Sequence, residues 1–192
     1  MTPQDVLDFW FGAPGSPEAG QPRREWFVKK DEFDDVIRAR FGATIDQALA
    51  GGLREWDGQG PHGLLARILV LDQFTRNAHR DTPMSFAGDA LALAAARALV
   101  DSGADRQLRP LQRAFAYMPF EHAEDAYMQE RAVELFGVLA ADHPGFDEML
   151  DYAHRHRGVI ARFGRFPHRN GILGRASTRE EEEFLRQPGS RF

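Results

Sequence analysis

The sequence predicts an all-α fold of antiparallel helix hairpins joined by short loops. Three observations carry that expectation. Apolar residues recur three or four apart over long stretches, as in Phe33, Val36, Ile37, Phe41, Ile45 and Leu49. Proline and glycine fall between those stretches, where helices start and stop. No run of alternating, β-branched residues reads as a strand.

In order along the chain, Thr2-Pro3 with Asp5 in the first turn opens a helix that carries Val6, Leu7 and Trp10 and stops near Gly12. Residues 12–25 read as a loop. A long helix spans about Asp31 to Leu49 and ends at Gly51-Gly52. Pro61 opens the next, to about His79. Pro83 and Gly88 bracket a turn before an Ala/Leu-rich helix over 89–102. Pro110 starts a shorter helix to about Tyr117. Further helices are expected over Glu121–Leu139 and Asp147–Phe163. Ser177 and Thr178, each with Glu three residues on, form overlapping capping boxes for a last helix over 178–187. The acidic run Glu180–Glu183 then reads as the solvated start of that helix, favoured by its dipole. The whole of 1–192 is expected to be one domain.

Composition narrows the class. The chain is 43% hydrophobic and has no cysteine, so disulfides and thiolate-bound metals are excluded. The first residues lack the basic and apolar regions of a secretory leader. The apolar stretches Leu64–Leu71 and Ala90–Val100 are short of a membrane span. A soluble cytoplasmic protein is expected, with no membrane partner.

One segment departs from the average. From Tyr152 to Thr178 there is no Asp or Glu, but there are six arginines: Arg155, Arg157, Arg162, Arg165, Arg169 and Arg175. The chain as a whole has 24 basic and 29 acidic residues, so this block is locally basic in an acidic molecule. Guanidinium groups stay charged and must meet carboxylates, phosphates or water.

Polar residues also interrupt apolar faces. Asp72 continues the stripe of Leu65, Ile68 and Leu69, and Arg76 follows it by four. The face of Met128, Ala132, Leu135, Phe136 and Leu139, projected backwards, contains Asp125 and Glu121, flanked by His122 and Gln129. His156 sits within the stripe Met149, Ala153, Ile160 and Phe163. Burying a lone carboxylate is costly, so these groups need partners. Glu121 and Asp125, read as one turn apart on one helix, require a cation or a shared proton. The expectation is one polar cavity, with acids from Asp72, Glu121 and Asp125 and bases from Arg76, His156, Arg162, Arg165 and Arg169.

The segments VLDFWFG (6–12), LDQF (71–74) with Arg76-Asn77, YMPFEH (117–122) with Glu124, Phe163–Asn170, and Leu173-Gly174-Arg175 with Ser177-Thr178 resemble the family called domain of unknown function 924. The resemblance spans nearly the whole chain. It departs at Thr75, where that family usually has proline, and near His79, where an aromatic or apolar residue is usual. It implies a helical fold similar to tetratricopeptide-repeat domains, a right-handed superhelix or bundle, and it implies no activity and no cofactor.

Two functions compete. The first is a site for a small anionic ligand, with hydrolysis as its chemistry, built from Asp72, Gln73, Arg76, Asn77, Glu121, His122, Asp125, Arg162, Arg165, His168, Arg169 and Asn170. His156 or Glu121 would then be general base or acid. The second is a module that binds a protein or peptide without catalysis. A metal site is less well supported, because no Glu-x-x-His pair or His-Glu-x-x-His is present and arginines repel a cation. Phe163 and Phe166 alternate with arginines as in nucleic-acid stacking platforms, but the rest of the chain is acidic and nucleic acid is not the expected partner. No GxxxxGK[ST] phosphate-binding loop and no GxSxG elbow occurs.

Overall fold

The structure, a computed structural model, describes residues 1–191. Among them nine α-helices occur and no strand. These are α1 (Pro3–Phe11), α2 (Asp31–Leu49), α3 (Gly60–Leu69), α4 (Thr75–Ala78), α5 (Asp89–Asp101), α6 (Pro110–Glu121), α7 (Ala126–Asp142), α8 (Asp147–Phe163) and α9 (Arg179–Leu185). The chain gathers into two compact units. One holds Met1–Arg80 and Met84–Pro119; the other holds Asp81–Pro83 and the residues from Phe120 onward.

Local chemistry sets the helix ends. Thr2 and Asp5 form a reciprocal capping box for α1. Thr178 and Glu181 do the same for α9, while Ser177 takes another role: its hydroxyl accepts from Asn170 Nδ2. Gly164, at φ 69°, closes α8 in the left-handed conformation that glycine tolerates. Within the predicted 12–25 loop, a short 3-10 turn begins at Arg24.

Three boundaries differ from expectation. The helix opened by Pro61 is interrupted between α3 and α4 by a π-helical turn, Val70–Phe74, where the Thr75 N–H reaches back to the Val70 carbonyl. Such turns insert one residue and often mark functional sites. Second, α6 runs through Pro119 to Glu121, so the proline removes a backbone donor near the end of the helix without stopping it. Third, residues 122–125 break the expected 121–139 helix. Asp125 is the N-cap of α7 and accepts from Met128 N at 2.9 Å, so Glu121 and Asp125 lie on no common helix. One cation shared between the two across a helical turn is therefore not required.

The first unit is built on an aromatic core. Trp10, Phe41, Phe74 and Phe115 are fully buried, with Phe41 and Phe74 centroids 4.7 Å apart and Trp26 and Phe115 4.8 Å apart. Each such ring removed from water stabilises by about 1.5–3 kcal/mol. Here α3 packs on α1 and α5, and the π-helical turn packs on α2. The segment Pro83–Asp101, longer than the Ala90–Val100 stretch, has the length and hydropathy of a membrane span. Five residues of its α5 portion, from Ala92 to Val100, lie buried within the fold.

In the second unit α7 and α8 pack along one another as a hairpin. Ala132, Phe136 and Leu139 of α7 and Ala153 of α8 are fully buried. Val159, Ile160 and Phe166 form an adjoining cluster, against which Phe163 and Phe184 pack.

Candidate functional site

In the first unit the π-helical turn presents Asp72 and Gln73 inward, and Asp72 is fully buried. Gln73 Nε2 donates to Asp72 Oδ2 at 2.6 Å. Arg76 Nη1 lies 3.3 Å from Asp72 Oδ1, and the guanidinium makes two hydrogen bonds to Asp89, of 2.7 and 3.2 Å. Burial works against the Arg76 charge, but Asp72 and Asp89 outweigh it and hold its pKa above the ordinary value. Asn77 donates to Asp34 at 2.8 Å, and Arg80 pairs with the same carboxylate. Asp34, Arg80 and Asp89 were not read from the sequence as partners. Asp89 sits in the first turn of an unremarkable Ala-rich helix, and Asp34 in that of α2, where an acid is ordinary.

A second buried network in this unit was also missed. Tyr117 O–H donates to Asp105 at 2.6 Å, and Arg113 Nε donates to the Tyr117 oxygen at 3.0 Å. Burial, reinforced by the Asp105 hydrogen bond, pushes the Tyr117 hydroxyl up to about 12.

In the second unit Glu121, His122, His156, His168 and Arg169 are joined by contacts with one another and with Phe166. Glu121 closes α6 and His156 lies mid-way along α8; both are buried. His156 Nδ1 is 2.7 Å from Glu121 Oε1 and 2.9 Å from the Tyr152 carbonyl. A carbonyl oxygen only accepts, so Nδ1 carries the hydrogen and shares it between the two oxygens. The carboxylate thus orients the imidazole. The His122 ring stands 6.3 Å from that of His156. Phe166 meets His156 edge-on at 5.5 Å, and Arg169 lies over Phe166 at 4.6 Å while donating Nη2 to the His122 carbonyl at 3.0 Å. The His168 ring is 5.7 Å from Phe166.

Beside this neighbourhood the arginine block is tied to acids of its own unit. Arg165 grips Glu181 through two hydrogen bonds of 2.7 and 2.8 Å. Arg175 grips Glu124 likewise, at 2.6 and 2.9 Å, and also donates to Asn170 Oδ1. Asn170 is fully buried and donates to Ser177 and Glu181. Arg162, Arg157 and Arg155 pair with Glu180, Glu130 and Asp151 at more exposed positions. Glu181 is itself buried, so the run Glu180–Glu183 is not uniformly solvated. The Arg165 hydrogen bonds hold its carboxyl at about 2. Burial pulls Glu124 up, but Arg175 and the Phe166 N–H outweigh it and hold it below its ordinary value. Asp125 is exposed and occupied as a helix cap.

A shallow groove of about 280 Å³ runs along α8 beside Arg155, Arg162, Phe163 and Phe184. Among the described residues no group of three or more His, Asp or Glu side chains is placed to hold a metal ion.

No curated protein matches the chain. A solved structure of a protein of unknown function from Agrobacterium tumefaciens is similar at 38% identity, with a TM-score of 0.82 and 96% of each chain covered. A family profile described as bacterial protein of unknown function matches residues 6–189. With the arginine motif and the Glu121–His156 pair inside the matched span, the chain belongs to the DUF924 family.

Proposed function

We propose that this protein binds a small anionic ligand beside the Glu121–His156 pair, with His156 exchanging a proton with it, and that hydrolysis is the reaction class such a pair suits. The observation that supports this reading is the buried contact of 2.7 Å between the two side chains. A carboxylate that fixes one imidazole nitrogen leaves the ring oriented for acid–base work at the other. His122 and Arg169 add cationic or hydrogen-bonding groups nearby. Arg162 and Arg165 take a different part in this reading. Their carboxylate partners already engage them, so they brace the segment that carries Phe166 and Arg169 instead of gripping the ligand. The proposal needs no cofactor.

The test is a thermal-shift and calorimetric panel of phosphorylated and carboxylated metabolites on the wild-type protein and on His156→Gln. The expected result is a saturable response that His156→Gln abolishes while its circular dichroism stays helical. Silence across the panel would end the reading.

A second reading rests on a different observation. Tyr127 and Val138 on α7 and Tyr152 on α8 are exposed, Tyr127 at 72%. Exposed aromatics on a helix hairpin suit a tetratricopeptide-like module that docks a protein or peptide, an analogy at the level of fold. Reproducible capture of one partner, lost in Tyr127→Ser, would favour it.

A further inference from the structure

We propose that Gln129 selects ligands carrying a hydrogen-bond donor, a hydroxyl or amino group close to the anionic group; this rests on the ligand reading of the Glu121–His156 site. Gln129 lies in the first turn of α7 and is fully buried. Its Nε2 faces three backbone carbonyl oxygens, those of Glu121 at 2.6 Å, Ala123 at 2.8 Å and Phe120 at 3.5 Å. Carbonyls only accept, so the carboxamide has one workable orientation. Turned over, it would set an oxygen against three oxygens. The amide nitrogen therefore holds the end of α6, and Oε1 points away from those carbonyls.

No donor among the described residues reaches Oε1. Native proteins rarely leave a buried acceptor unmet, and each case calls for a reason. Its location supplies one. The side chain that carries this acceptor also grips the carbonyl of Glu121, whose carboxylate orients His156. The acceptor thus belongs to the same local structure as the proposed proton-exchanging pair. A ligand that offers its anionic group to this neighbourhood and a hydroxyl or N–H to Oε1 satisfies both. A simple anion of equal charge satisfies only the first. The ligand class narrows to hydroxy or amino acids and hydroxylated phosphate esters.

Matched probes test this on the intact wild-type chain: lactate against propionate, and glycerol 3-phosphate against propyl phosphate, by titration calorimetry. A single added hydrogen bond should tighten binding roughly two- to tenfold for the hydroxylated member of whichever pair binds. If anions bind and the hydroxyl makes no difference, this inference falls while the ligand reading stands. If none of the four binds, this inference falls, and the wider metabolite panel decides the ligand reading separately. Gln129→Met removes the acceptor at similar volume but also releases three carbonyls, so discrimination by the wild type is the primary result. Where that variant folds, it should bind both members of a pair equally; retained discrimination would assign the selectivity elsewhere. A ligand-bound structure in which only water meets Oε1 would likewise overturn the inference.

Discussion

Phe166 is where the arginine motif meets the core, and replacing it tests whether that motif holds the site in place. The ring is fully buried among Val159 and Ile160. It also takes the edge contact with His156 at 5.5 Å and lies under Arg169 at 4.6 Å. Truncating a buried phenylalanine to alanine costs about 3–5 kcal/mol through lost transfer and the cavity left behind. The aromatic contact adds about 0.5–1.5 kcal/mol and the guanidinium stacking about 0.5–2 kcal/mol. Phe166→Ala should therefore cost about 4–6 kcal/mol, since such increments do not sum fully. Phe166→Leu keeps most of the apolar volume and loses only the ring-specific part, about 1–3 kcal/mol. Phe163→Ala, at a half-buried position packed on Phe184 at 5.1 Å, should cost about 1–2 kcal/mol. Urea unfolding followed by circular dichroism gives all three values. Hydrogen exchange over 156–175 shows whether the loss is local. Equal costs for Phe166→Ala and Phe163→Ala would refute the placement of Phe166 as the anchor.

Other outcomes follow from the same contacts. Glu181 titrates at about 2 in the folded chain, below its ordinary 4.5, so its stabilising contribution is complete above pH ~4.5 and lost as the pH falls toward 2. Glu124, also lowered, acts in the same direction. Glu181→Gln should flatten the acid limb of the stability–pH curve, whereas Glu180→Gln, in an exposed pair, should leave it unchanged. Glu121→Gln separates function from structure. If Glu121 serves the ligand, the variant keeps or gains stability and loses the ligand response. A purely structural partner of His156 would cost about 1–3 kcal/mol on denaturation. Gly88→Ala should destabilise by about 1–3 kcal/mol or more, because a Cβ there would lie 2.0 Å from the Leu71 carbonyl oxygen, both fixed by backbone. A neutral melting temperature would deny that close approach.

Helix positions were legible where periodicity and caps agreed. The expected spans of α2 and α8 match the observed ones, and His156 was placed on the buried face by its spacing from Ala153 and Ile160. The pairing of Asp72 with Arg76 also followed from their separation of four. What failed needed information that spacing does not hold. A π-helical turn such as Val70–Phe74 leaves no composition signal. The break at 122–125 contains no glycine or proline; Asp125 signals it only as a cap, and an acid in a helical pattern reads equally well as helix. The helix expected to end near Tyr117 continues to Glu121 through Pro119, which supplies no backbone donor. The partners of the arginine block were the least legible. Glu181 looked like its solvated neighbours, but it is buried and meets Arg165, Asn170 and Thr178.

The most direct measurement is a nitrogen-15 NMR titration of the histidine rings and the Gln129 carboxamide with lactate and glycerol 3-phosphate. Nδ1 of His156 should carry its hydrogen before ligand is added. Saturable shifts are then expected at His156 and Gln129, while Arg165 and Arg175, locked on Glu181 and Glu124, stay still. Ligand-induced shifts at Arg165 and Arg175 with His156 and Gln129 unmoved would contradict this expectation.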